Sequence, residues 1–147
     1  MGASSDARIV DVAAREVWDR LVSDGNAVLV DVRTRAEWTY VGVPDLSPIG
    51  KKPILIEWQT YPEGAVDPAF VERLSAMLDA SKIGKSTEIF FICRSGVRSK
   101  AAALAMAQAG FERCHNVADG FEGPLDPSRR RGQTAGWKSA GLSWVQG

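Results

Sequence analysis

Apolar positions along the chain fall into two kinds of run, one spaced like a helix face and one unbroken. Val12, Ala13, Val17, Trp18 and Leu21 recur every three to four residues, which predicts a helix from Asp11 to Leu21 with Asp11 as N-cap and Gly25 just past its end. A second helix begins at Pro68, where a first-turn proline is tolerated, and carries Phe70, Val71, Leu74, Met77 and Leu78 before stopping short of Gly84. A third, alanine-rich helix is expected from about Lys100 to Gln108, capped by Gly110. Thr34 to Tyr40 has room for one or two helical turns, and the stretch from Gly42 through Pro44, Pro48, Gly50 and Pro53 reads as irregular loop. A fourth short strand is expected at 114–117, and the unbroken runs are 27–32, Ile54-Leu55-Ile56 and 88–93. They show no alternation, as strands buried on both faces do. Strands alternating with helices predict an α/β domain with a small parallel sheet flanked by helices on both faces.

Composition narrows the functions open to such a domain. At 147 residues there is room for one core and one site, and 45% hydrophobic with 24% charged residues is an ordinary globular balance. Eighteen Lys plus Arg against eighteen Asp plus Glu leave zero formal charge, so capture of nucleic acid or an anionic membrane by the field of the whole protein is not expected. Any anion site must be local. The two cysteines, Cys93 and Cys114, form no CxxC pair, and with a single histidine, His115, no metal site and no cofactor is implied. The N-terminus lacks the basic start and apolar run of a secretory signal, and no stretch is long and apolar enough to span a bilayer, so a reducing, cytoplasmic setting is expected.

The chemistry concentrates where the strand ending at Cys93 meets the next helix. In open α/β sheets ligands sit at the carboxyl ends of strands. The joining residues Arg94, Ser95, Gly96, Val97 and Arg98 are few, so the loop must curl with backbone N–H groups turned toward the sulfur. Gly96 supplies conformational freedom, the following helix contributes the positive end of its dipole, and Arg94 and Arg98 add fixed charge. All three favour a thiolate over a thiol and mark Cys93 as a nucleophile that needs no histidine base.

Cys93-Arg94-Ser95-Gly96-Val97-Arg98-Ser99 resembles the active-site loop of the rhodanese family of sulfurtransferases. The segment Val30 to Trp38, with Asp31, Arg33 and Glu37, is similar to the family's upstream signature, and Asn116 to Gly123 with Gly136-Trp137 and Gly141-Leu142 resembles its C-terminal glycine and tryptophan stretch. Together these cover residues 9–144 as a single rhodanese-like domain. The resemblance implies that Cys93 takes a sulfane sulfur from a donor, holds it as a persulfide and passes it to cyanide or to a thiol, including one on a protein acceptor. It implies Arg94, Ser95, Gly96, Val97, Arg98 and Ser99 as the residues around the bound sulfur. Asp31, Arg33 and Glu37 would be scaffold, a charge pairing that ties the strand end to the next turn. One departure is plain: where the family commonly has Gly-His-Ile-Pro, this chain has Val41-Gly42-Val43-Pro44.

Cysteine phosphatases are the nearest chemical rival. They place five residues between cysteine and arginine to wrap a tetrahedral phosphate, whereas four separate Cys93 from Arg98. Within the rhodanese family a loop with Arg94 and Arg98 is similar to the thiosulfate-using type, and paired guanidiniums suit a dianion. The reading is therefore a thiosulfate sulfurtransferase, with a non-catalytic binding or redox-sensing module as the alternative. Cys114 is expected to pack in the core, and His115 to be a surface or packed residue. Arg129-Arg130-Arg131 is expected to be a solvated loop, Trp137 and Trp144 to cover the core, and Trp58 to be a candidate for the pocket mouth.

Overall fold

A computed structural model describes residues 9–59, 65–123 and 136–145. In chain order the elements are β1 (Val10–Val12), α1 (Ala14–Ser23), β2 (Val28–Asp31), α2 (Arg35–Tyr40), β3 (Val43–Pro44), β4 (Ile54–Leu55), α3 (Phe70–Ala80), β5 (Glu88–Ile92), α4 (Val97–Gln108), β6 (Arg113–Val117) and β7 (Trp144–Val145). Five strands form one sheet in the order β1-β6-β5-β2-β4, every pair parallel, and β3 and β7 make a small antiparallel ribbon beside it.

The central strands explain why their sequence runs are unbroken. Along β5 and its end, Ile89, Phe91 and Cys93 face a core built with α3 and α4, through Phe70, Leu74, Leu78, Ala102, Ala103 and Met106. The intervening Phe90 and Ile92 face the opposite core, where Val17 and Leu21 of α1 meet Phe121, Trp137 and Leu142. Both faces are dry, so both sets of side chains must be apolar. The C-terminal segment thus does the work of a covering helix on the α1 side. Trp137 is fully buried, sets its ring edge-on against Trp18 at 6.0 Å and donates its indole N–H to Ser143 O at 2.8 Å. Trp144 stays half-exposed, edge-on to Phe121 at 6.1 Å with the Lys138 ammonium over its ring.

Four local expectations change. Asp11 is not a helix cap: it lies in β1, which pairs with β6, and α1 begins three residues later behind Ala13. Ile54-Leu55 is an edge strand rather than a doubly buried one, with Leu55 39% exposed. The expected irregular stretch after α2 contains β3 and a turn of 3-10 helix at Ser47–Ile49. And α4 starts at Val97, not Lys100, so the connection from β5 is shorter than the sequence suggested. Arg129-Arg130-Arg131 lies outside the described residues.

At the N-terminal end of the sheet, opposite Cys93, the Glu88 carboxylate is 7% exposed and meets Arg20 at 2.9 Å, Arg113 at 3.6 Å and His115 at 2.9 Å. Burial holds the His115 imidazole below its ordinary pKa, with Glu88 pulling the other way. The folded protein therefore binds fewer protons than the unfolded chain just below the free histidine pKa, and this contribution to stability is lost as pH falls through that window. Urea midpoints should drop between about pH 7 and about pH 5. His115→Gln should flatten that dependence; an unchanged slope would assign it to other groups.

Candidate active site

The sheet's carboxyl edge brings Cys93 to the start of α4. The chain leaves β5 at Ile92, passes through Cys93, Arg94 and Ser95, and turns at Gly96, whose φ of +109° is one that L side chains rarely adopt. This turn points the Gly96 N–H at the Cys93 Sγ, 3.1 Å away, while Ser99 in the first turn of α4 brings its hydroxyl to 3.2 Å from the same sulfur. Cys93 is 1% exposed. The first-turn N–H groups of α4 have no partner within the helix and add their dipole at this end.

The loop is held from behind by the turn after β6. Phe121 N–H donates to Cys93 O at 2.7 Å, and Glu122 and Gly123 N–H groups donate to Arg94 O at 3.0 and 3.1 Å. Contact is so close at Gly120 that a Cβ there would stand 2.4 Å from Cys93 O and 2.6 Å from the Arg94 carbonyl carbon. That contact accounts for a glycine at this point of the C-terminal stretch.

The other expected residues divide into two groups. Asp31 and Arg33 are fully buried and paired, with Arg33 Nη2 at 2.6 Å from Asp31 Oδ2. The same Nη2 donates to Gly42 O at 2.7 Å, and the guanidinium lies 4.3 Å over the Phe121 ring. This pair ties the end of β2 to the turn after α2 and to the clamp behind Cys93. Glu37 does not join it. Its carboxylate accepts from Nη1 and Nη2 of Arg98, at 2.7 and 2.9 Å, and closes a capping box with Thr34 at the start of α2. Burial alone would push the Glu37 carboxyl up, but Arg98 and the Thr34 bonds outweigh it and hold it below the usual range. Arg98 is raised chiefly by its hydrogen bond to Glu37, against burial, with a smaller contribution from Cys93. The loop's positive charge is therefore partly balanced by a carboxylate 61 positions away in sequence. Arg94 is exposed, Val97 is 78% exposed, and Ser95 is half-buried on the rim of a neighbouring groove.

The histidine missing from the family pattern leaves no gap. Gly42 adopts φ +110°, and a Cβ there would meet Val145 O at 2.7 Å and the Trp144 ring at 2.8 Å. The β3–β7 ribbon, with Trp144 over Gly42, occupies that position. Trp58 sets its ring edge-on to Phe70 at 4.9 Å and packs on the α3–α4 core.

Cys114 pairs in register with Ile89, four residues before Cys93, which separates the two cysteines by about 13 Å along the strands at ~3.3 Å per residue. Burial pushes its thiol up to about 12. It is a packing residue. Two participants have no mark in a nucleophile motif: Asn116 of β6, which accepts from the Ser99 hydroxyl, and Asp11 of β1, which accepts from Asn116 Nδ2 at 2.9 Å. Asn116 was legible only as part of the C-terminal stretch. Among the described residues no group of His, Cys, Asp and Glu could hold a metal ion, and no helix is long and apolar enough to cross a membrane.

Residues 10–147 match the family model described as the STR4 middle domain. The chain belongs to that family. Rv0390 from M. tuberculosis, a solved structure, is 40% identical to this chain, with a TM-score of 0.84 over 96% of this chain and all of the other. The rhodanese-like domain-containing protein 4 of Arabidopsis thaliana chloroplasts is 28% identical over 91% of this chain and 25% of its own length. The polysulfide-sulfur transferase homodimer of Wolinella succinogenes superposes with a TM-score of 0.58 at 16% identity, over 95% of this chain and 80% of that one. The fold of this chain is rhodanese-like, and rhodanese-like domains include sulfurtransferases.

Proposed function

We propose that this protein is a sulfurtransferase that carries a sulfane sulfur on Cys93, with thiosulfate as donor and cyanide or a thiol, including a protein thiol, as acceptor. The observation that carries the reading is the Cys93 Sγ at the start of α4, with the Gly96 N–H and the Ser99 hydroxyl on it and the Arg98 guanidinium nearby. These groups suit a sulfur anion. In the first step the Cys93 thiolate attacks the outer sulfur of thiosulfate, forming an S–S bond as the bond to the sulfonate sulfur breaks, and sulfite leaves with the electron pair. In the second, cyanide or a thiolate attacks the terminal sulfur of the persulfide and Cys93 leaves as thiolate. No metal or organic cofactor takes part.

Arg98 is the residue proposed to meet the donor's negative charge, positioned for it by Glu37, while exposed Arg94 steers the dianion in. Arg98→Ala is expected to lower kcat/KM for thiosulfate by at least about tenfold, the loss of roughly one charge-assisted hydrogen bond. An unchanged value would remove Arg98 from the mechanism. The steady-state production of thiocyanate from thiosulfate and cyanide tests the function itself: turnover by the purified protein is expected, and none by a folded sample would refute it. The deep burial of Sγ favours a second reading, a module that takes up sulfur or an oxidant without turnover. Persulfide formation with no thiocyanate release would select it.

A further inference from the structure

Ser99 has one hydroxyl proton and two acceptors. Its Oγ lies 3.2 Å from Cys93 Sγ and also bonds Asn116 Oδ1, while the sulfur accepts from the Gly96 N–H. Which end of the Asn116 amide faces Ser99 is settled by its other neighbours. Nδ2 reaches Asp11 Oδ1 at 2.9 Å and Gly96 O at 3.1 Å, and a carboxylate and a carbonyl can only accept. Both amide protons are thereby claimed, so the amide oxygen is turned to Ser99. Ser99 and Asn116 are 0% and 3% exposed, so an unpaired polar atom on either is costly.

The consequences differ for the two states of the sulfur. With Cys93 as a thiol, S–H donates to Ser99 Oγ and the Ser99 O–H donates to Asn116 Oδ1, so each group is satisfied. With Cys93 as a thiolate, the Ser99 proton either turns to sulfur and strands the amide oxygen, or stays on the amide and leaves sulfur with the Gly96 N–H. Ionisation costs one hydrogen bond either way. We propose that Asn116, held in one orientation by Asp11 and the Gly96 carbonyl, is a positioning residue that competes with Cys93 for the Ser99 proton and so sets the pH range in which Cys93 reacts. A thiolate denied that bond is less stabilised and more nucleophilic once formed. The inference rests on Cys93 being the reactive group of the proposed function, and it adds the residues that tune it.

Other charged residues lie on the elements around this sulfur. Arg94 and Arg98 lie on the loop and α4, Glu37 on α2 behind Arg98, Asp31 and Arg33 at the end of β2, and Asp119 in the turn after β6. A shift in one variant alone would mix their effects with the hydrogen bond, so the test is a cycle. The pH midpoint of the thiolate ultraviolet absorbance, taken as the difference from a Cys93→Ser sample, would be measured for the full chain and for Asn116→Ala, Ser99→Ala and the double variant. Asn116→Ala is expected to lower the midpoint by at least about half a pH unit, a threefold change. It should also lower the alkylation rate at the high-pH plateau. Ser99→Ala is expected to lower the midpoint as well, because it removes the bond that ionisation costs, and Ser99→Thr to restore it. In the double variant the effect of Asn116→Ala should vanish, because the hydroxyl that links the amide to sulfur is gone.

Asp11 is half-exposed, so its variants keep the fold even if Asn116→Ala disturbs Gly96. Asp11→Ala should lower the midpoint more than Asp11→Asn, which removes the charge but keeps an acceptor for the amide. Equal shifts from Asn116→Ala with and without the Ser99 hydroxyl, a raised midpoint in Asn116→Ala, or equal shifts in the two Asp11 variants would overturn the proposal. None of these readouts uses thiosulfate, so a failed turnover assay and a failed cycle are separate results.

Discussion

Replacing Cys93 with serine is expected to cut thiocyanate formation to the uncatalysed rate while moving the thermal midpoint by only a few degrees, about 1 kcal/mol or less. The two halves of this result follow from the same geometry. A serine hydroxyl at this position still finds the Gly96 N–H and the Ser99 hydroxyl, so the buried polar group remains bonded and the fold loses little. It does not ionise near neutral pH and cannot hold a sulfane sulfur, so the chemistry stops. Cys114→Ser is the matched control. Its thiol is pushed up to about 12 by burial and its strand position sets it about 13 Å from Cys93, so turnover should be unchanged. Activity surviving in Cys93→Ser, or lost in Cys114→Ser with the fold intact, would move the nucleophile elsewhere.

Gly120→Ala is the substitution with the largest expected effect on the fold around the site. At φ +63° the backbone already disfavours a side chain, and the added carbon would sit 2.4 Å from Cys93 O and 2.6 Å from Arg94 C and O, all backbone atoms. Nothing there is the mobile end of a side chain, so either the turn after β6 or the Cys93 loop must shift. The bonds from Phe121, Glu122 and Gly123 to the loop carbonyls would lengthen together. A loss of about 3 kcal/mol or more is expected, seen as a fall of roughly 10 °C in Tm. Activity should fall with it. Gly25→Ala, with no atom within 4 Å of the new carbon, should leave both near wild type. A Gly120→Ala protein with wild-type Tm and turnover would show that the clamp does not hold the loop.

The parts of this site that were legible in the sequence are those carried by neighbours in the chain. The buried run ending at Cys93, the glycine three residues on and the helix that follows are local, and local order dictates how they fold. What escaped was the pairing of residues far apart. Arg98 reads as a free cation beside Cys93 until α2 folds back and brings Glu37 to it. Asn116 reads as one more residue of a short strand until β1 and α4 bring Asp11 and Ser99 to either side of it. Asp11 reads as a helix cap because a three-residue strand is too short to display a period, while the helix behind it displays a clear one. Ile54-Leu55 shows the converse limit: apolar, β-branched composition marks a strand but not whether it stands at the centre or the edge of a sheet. The sequence puts the start of α4 three residues late because Val97, Arg98 and Ser99 lack the alanine-rich signature of the rest of the helix. Gly96, turning at φ +109°, is what begins the helix.

The central claim is that Cys93 carries the transferred sulfur, and intact-protein mass spectrometry tests it most directly. Incubation with thiosulfate followed by desalting should raise the mass by one sulfur atom. The addition should map to the peptide containing Cys93, disappear on treatment with cyanide, and be absent from Cys93→Ser. A folded protein whose mass stays unchanged, or one that carries the extra sulfur on the Cys114 peptide, would contradict the account.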